Sequence, residues 1–400
     1  LDPAPLPDGS LLYLSSRDGT YNVYKLDPKR PRPDDLGYFQ YRVHDAHAPA
    51  EPPPEALRQV IAEAALSQPS AHLYGPVFGL PALREEVAEQ WCRAYGGVIK
   101  AEQVAITSGC NQAFCAAITA LCTEGDEVIL PTPWYFNHKM WLDMSGVTAV
   151  PLPTGPELLP DPGEAEARIT NKTRAIVLVT PNNPGGVEYP ADLVESFYHL
   201  AQARGLKLIV DETYRDFDAR PGAAHGLFND PDWDKTLVDL YSFSKAYRLT
   251  GHRVGAIIAS PELLDEVEKF IDSVTICPNQ LAQHAALWGM RNLAQWLAGE
   301  RAEILARRAA ISDGFPALAE KGWKLLGLGA YFAYVEHPFD LPSDQLAQSL
   351  VTRAGVLLLP ATMFVPPGDP AGARQLRIAF ANLDSVGIGT LFNRLTPLTF

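Results

Sequence analysis

The chain has 400 residues, 47% of them hydrophobic and 20% charged, with a formal net charge of −14. That length supports two domains around substantial cores, and an acidic chain without a basic cluster argues against nucleic acid or an anionic membrane surface as partner. No run approaches about 18 uninterrupted apolar residues, so no membrane span is expected, and Leu1-Asp2-Pro3 opens neither a basic nor an apolar leader, so no signal peptide is expected. Five cysteines, Cys92, Cys110, Cys115, Cys122 and Cys277, lack Cys-x-x-Cys spacing and read as reduced thiols of a cytoplasmic protein.

The first fifty residues are rich in proline and charge, with tyrosines at 13, 21, 24 and 38. They read as an N-terminal arm and small-domain segment (1–50). His44 and His47 flank Asp45 but have no third ligand nearby, so a polar turn is the plainer reading than a metal site. From Pro54 an α/β alternation begins. Glu55 to Leu66 and Leu80 to Tyr95 have helical apolar spacing. Strand-like runs follow at 103–107, 127–130, 175–180, 206–210, 237–241 and 254–259, with helical stretches at 111–122 and 191–204 between them. Apolar strands separated by helices predict a mostly parallel sheet covered on both faces. This large domain spans 51–285. Pro261 to Ile271 and Leu281 to Leu305 are expected as helices leaving it. A smaller domain (286–400) has short strands at 330–335, 356–359 and 376–380 and a helix at 343–353.

Four segments fall just after strand-like runs, where open α/β sheets bind their ligands. Lys245 lies in Tyr241-Ser242-Phe243-Ser244-Lys245-Ala246-Tyr247, and Arg253 follows eight residues later. An amine beside a phosphate-binding guanidinium suits an aldehyde cofactor with a phosphate tail. Gly109-Cys110-Asn111 precedes a helix expected to start near Gln112, and free amides at a helix N-terminus bind anions. Ser242, Ser244 and Arg253 are the side chains expected to help there. A reactive-thiol role for Cys110 is a lesser alternative. Pro181-Asn182-Asn183-Pro184-Gly185-Gly186 and Asp211-Glu212-Thr213-Tyr214 complete the set. Arg377 sits in an apolar strand, Leu376 to Phe380, and needs an anionic partner there.

Taken together, these segments resemble the class I/II aminotransferase family of fold-type I PLP-dependent enzymes, the aspartate aminotransferase-like group, from about Pro53 to the C-terminus. The resemblance implies an α/β fold-type I PLP-transferase with a large, mostly parallel domain and a smaller α+β domain. It implies pyridoxal 5'-phosphate as cofactor, joined to Lys245 as a Schiff base. Asp211 would pair with the pyridine nitrogen, Tyr214 and Asn183 with the ring's 3-oxygen, and Tyr135 would stack on the ring, with Trp134 its rival. His138 reads as structural. Arg377 would grip the substrate α-carboxylate, and Tyr74 would reach the phosphate of a neighbouring subunit, which implies a homodimer with shared sites.

Two segments depart from the family pattern. Gly185-Gly186 stands where threonine-glycine is usual. Val43 to Pro49, with two histidines and an aspartate, replaces a small, glycine-containing strand and turn on the substrate side. The leading expectation is amino transfer from an L-amino acid to a 2-oxo acid. The same residues are compatible with elimination, carbon–carbon bond formation, decarboxylation or oxidation in a specialised biosynthetic pathway. A non-catalytic binding module is the third alternative, and the complete cofactor set argues against it.

Overall fold

The computed structural model describes residues 51–400 and, ahead of them, the backbone of four short strands. These are β1 (Ala4–Pro5), β2 (Leu11–Ser15), β3 (Asn22–Leu26) and β4 (Tyr41–Arg42), paired antiparallel in that order. The segment read as an arm thus holds a small sheet, which its proline-rich composition concealed because no strand exceeds five residues. Val43 to Pro49, with His44, Asp45 and His47, lies outside the described residues.

The main sheet has seven strands: β5 (Val104–Thr107), β6 (Glu127–Thr132), β7 (Thr148–Pro153), β8 (Thr173–Val179), β9 (Lys207–Asp211), β10 (Leu237–Ser242) and β11 (Gly255–Ile258), in the order β5-β11-β10-β9-β8-β6-β7. From β10 to β7 every neighbouring pair is parallel; β11 runs antiparallel to both β10 and β5. Every residue of β5, β10 and β11 is buried, as a sheet covered on both faces requires. Alternation sorts the two faces: Leu208 and Val210 enter one core with Trp91, Phe197 and Tyr241, while Ile209 enters another with Phe114 and Leu264. Strand β7 was not expected. It is one of the two edge strands, with Thr148, Pro151 and Pro153 exposed, and the prolines are tolerated there because an edge leaves amides unpaired.

Local chemistry sets the helix ends. Helix Pro261–Thr275 starts where the Ser260 side chain accepts from the Leu263 amide at 3.3 Å, with proline in its first turn. It buries Leu263, Leu264, Val267 and Ile271 along one face. The run expected as one helix from 281 to 305 is two, Gln280–Asn292 and Ala294–Gly314, broken at Leu293. The first packs with the main core, and the second carries Ile304 and Ile311 into the core of the C-terminal part.

That part is built on an antiparallel sheet of β12 (Lys324–Gly329), β13 (Phe332–Glu336), β14 (Leu359–Pro360) and β15 (Gln375–Ala379), ordered β12-β13-β15-β14. Helices Ser343–Ala354 and Ser385–Leu395 cover it. Its core takes in Tyr214 and Phe217 from the main-sheet segment, so the two sheets share a seam. The seam is tight at Gly186. A Cβ there would come within 2.4 Å of the Phe332 carbonyl and 2.7 Å of the Gly329 amide, and Gly186 has φ +78°. Among the described residues, no helix is long and apolar enough to cross a membrane.

Candidate active site

A cavity of about 210 Å³ opens at the carboxyl ends of β9 and β10, lined at once by Lys245, Asp211, Tyr214, Tyr135, Asn183 and Arg253. Its position follows from the sheet: β9 ends at Asp211 and β10 at Ser242, and each strand delivers the next few residues to the same edge. Lys245 sits in the one-turn helix Phe243–Ala246 directly after β10, with its Nζ 5.9 Å from the centroid of the Tyr214 ring. Ser242 starts that turn by accepting from the Ser244 amide at 3.3 Å.

Gly109, Cys110 and Arg253 form a cradle. The helix Cys110–Leu121 begins two residues earlier than expected, and Gly109 precedes it at φ 87°. A Cβ on Gly109 would lie 2.3 Å from Arg253 Nη2, so only glycine lets the guanidinium lie over this helix N-terminus. Arg253 itself takes a left-handed backbone (φ 52°), and its Nη1 donates to Thr250 O at 3.0 Å and Ser244 Oγ at 3.4 Å. Asn111 also lines the cavity and accepts from the Tyr135 hydroxyl at 3.4 Å.

Asp211 is 3% exposed. Its Oδ1 accepts from the Thr213 amide at 3.0 Å and from Cys110 Sγ at 3.5 Å, and its Oδ2 lies 3.2 Å from His138 Nε2. Burial alone would push this carboxyl up. The His138 contact and charge and the Thr213 bonds outweigh it and hold Asp211 below the usual carboxylate range, so it is charged at neutral pH. His138 is stacked on Phe114 at 3.9 Å and meets the Tyr135 ring edge-on at 5.0 Å. Read as structural from sequence, it is instead Asp211's direct partner. The signal was its spacing, one helical turn after Tyr135 on the helix Phe136–Met144.

Burial, then the Asp211 charge, drives the Cys110 thiol well above its ordinary range. A thiol held so far from its thiolate is a poor nucleophile, which counts against the reactive-thiol alternative. Burial also raises Tyr214, which is 3% exposed, so its phenol stays a proton donor. Tyr135 lines the cavity, whereas Trp134 is buried beside it and does not.

Arg377 is 1% exposed in the middle of β15. Its Nη1 donates to Asn183 Oδ1 at 2.7 Å, and its guanidinium lies 4.6 Å from the Phe332 ring and 5.2 Å from the Phe364 ring. The two rings gave no sign in the sequence, since β13 and the turn after β14 are distant in the chain. Tyr74 is 79% exposed and is not among the lining residues of its own chain's cavity.

Comparison with known proteins agrees with this architecture. The family model for aminotransferase class I and II matches residues 35–395, beginning earlier than the resemblance read from Pro53. The chain is 29% identical over 355 residues to an aromatic aminotransferase of Arabidopsis thaliana, covering 86% of each chain. It is 28% identical over 326 residues to an aspartate/prephenate aminotransferase of Thermus thermophilus, covering 79% of this chain and 81% of that one. Among solved structures, a mutant aspartate aminotransferase of Thermus thermophilus superposes with a TM-score of 0.80 at 25% identity, over 88% of this chain and 94% of that one. An Escherichia coli protein described as having a methionine aminotransferase function superposes with a TM-score of 0.80 at 26% identity, over 88% and 92%.

Proposed function

The chain belongs to the class I and II aminotransferase family, and from that membership we propose that it binds pyridoxal 5'-phosphate at Lys245 and transfers the amino group of an L-amino acid to a 2-oxo acid. The observation that carries this reading is one cavity lined together by an amine (Lys245), a buried carboxylate (Asp211) and a guanidinium over a helix N-terminus (Arg253). Those groups fit the cofactor's chemistry. The cradle of Gly109, Cys110, Asn111, Ser242, Ser244 and Arg253 would hold its phosphate. Asp211 would hold its ring nitrogen, Tyr214 and Asn183 its 3-oxygen, and the Tyr135 ring would pack on its plane. When bound, the cofactor supplies an aldehyde carbon for the amine and an electron-withdrawing ring for the substrate α-carbon.

The chain's own residues do the rest. Lys245 would be the base that takes the proton from the substrate α-carbon and, carrying it as an ammonium, the acid that gives it back. Asp211, held ionised, keeps a positive charge on the ring side of the site favourable throughout. Arg377, paired with Asn183, takes the substrate carboxylate and fixes which α-bond faces Lys245. Solvent is kept from Arg377 by Phe332 and Phe364. Tyr74, exposed beside Leu73, is assigned to the cofactor phosphate of a second subunit in a homodimer. No observation favours elimination or bond formation on this scaffold.

The test is a single half-reaction. Holoenzyme given an amino acid and no acceptor should release one equivalent of the matching 2-oxo acid per site and no ammonia. Stoichiometric ammonia would assign the chain to elimination chemistry instead.

A further inference from the structure

Tyr334 lies in the middle of β13, fully buried at 0% exposure, yet its hydroxyl has no hydrogen-bond partner among the described residues. A buried O–H left unsatisfied costs on the order of 1–3 kcal/mol, and phenylalanine would fill the same volume without it. Four other buried phenols have partners. Tyr241 donates to Asp216 at 2.7 Å, Tyr198 to Asp230 at 2.8 Å, Tyr95 to Glu212, and Tyr189 accepts from Asn182 at 3.2 Å. Among the described residues Tyr334 is the tyrosine whose hydroxyl is both wholly buried and unpartnered, and its surroundings name the missing partner.

Tyr334 stands directly opposite Arg377 in the β13–β15 register, and opposed residues of adjacent strands project from the same face. Phe332, two residues earlier, shares that face and covers the Arg377 guanidinium. The Phe364 ring lies against both groups, 6.4 Å from the Tyr334 ring and 5.2 Å from the guanidinium. This is also the face that meets the loop carrying Asn183, through the bond from Arg377 Nη1 to Asn183 Oδ1. Burial, outweighing the nearby Arg377 charge, raises the phenol, so it remains a donor across the neutral range.

We propose that the Tyr334 hydroxyl is a second hydrogen-bond donor to the carboxylate that Arg377 takes up, left without a partner until substrate arrives. The proposal rests on the reading of Arg377 as the carboxylate site. It accounts for a polar group retained where an apolar one would pack as well: the substrate satisfies it.

The isosteric variant Tyr334→Phe in the holoenzyme tests this. Dissociation constants would be measured, from the cofactor absorbance, for 3-phenylpropanoate and a series of 2-oxo acids, and for 2-phenylethylamine, which lacks the carboxylate. The expected result is carboxylate binding weakened about ten-fold, amine binding unchanged, and a thermal midpoint equal to or above wild type, because an unsatisfied hydroxyl has been removed. Combined with Arg377→Lys, the loss should be smaller than the sum of the two single losses, since both groups act on one carboxylate. Unchanged carboxylate binding, an equal loss for the amine, strictly additive losses, or no carboxylate binding by wild type would each overturn the proposal. Tyr334-dependent carboxylate binding in an enzyme that transfers no amino group would uphold it while defeating the amino-transfer reading.

Discussion

Asp211 shows how much of the site is decided one side chain at a time. A carboxylate buried to 3% exposure is costly, and it stays ionised because His138, Thr213 and Cys110 surround it. Asp211→Asn should therefore retain the fold and lose on the order of 10²-fold or more in turnover, as removal of a preorganised charge does. Steady-state kinetics alongside thermal melts separate the two effects, and near-native turnover would count against the assignment. The pH dependence has a definite sign. Because the folded Asp211 pKa lies below its unfolded value of about 3.9, its stabilisation is fully present above that value and is lost as pH falls through the folded one. Thermal melts of wild type and Asp211→Asn should differ by a constant amount above about pH 5 and converge below about pH 4. Spacing puts His138 one helical turn after Tyr135 but does not say that it meets Asp211. Only the fold brings Phe136–Met144 across to the end of β9.

The strands and helices of the main sheet were the most legible elements. Their apolar runs are long, buried on both faces and separated by helices, so β8, β9 and β10 fall within a few residues of their expected limits. The elements that escaped were those without such runs: the exposed, proline-bearing edge β7, and β12, whose Gly327 and Gly329 weaken a strand signal. The Gly185-Gly186 departure from the family pattern has a structural reason as well. A Cβ on Gly185 would meet Asn182 Oδ1 at 2.8 Å and Leu158 Cδ1 at 3.0 Å, so a larger residue would have to displace these two side chains. At Gly186 both the backbone angle and the neighbouring carbonyl exclude a side chain. Gly186→Ala should lower stability by about 1–3 kcal/mol. It should also weaken substrate binding by parting Asn183 from Arg377. Chemical denaturation and KM measured on one preparation check both effects, and a variant unchanged in each would show that the seam has slack.

At the scale of the molecule, the proposed site draws on both sheets through the Arg377–Asn183 bond, and the proposed dimer would complete it. Motif spacing singled out Lys245, Arg253 and Asp211, which line one cavity, because each lies at or beyond the end of a strand of marked pattern. The Phe332 and Phe364 rings around Arg377 come from segments joined only by tertiary packing. Tyr74 belongs to this scale: it is exposed on its own chain, and its assigned role needs a second copy. Mixing inactive Lys245→Ala subunits with a strongly impaired Tyr74→Phe variant should restore part of the activity, because one of the two hybrid sites is then intact. Demonstrated subunit exchange without rescue would refute the shared site. The central claim is that Lys245 is the amine around which the site is built, and borohydride reduction of the holoenzyme followed by peptide mapping tests it most directly. One cofactor per chain is expected, fixed on the peptide containing Lys245, and none fixed in Lys245→Ala; label on another lysine, or a protein with no bound cofactor, would overturn the assignment of Lys245.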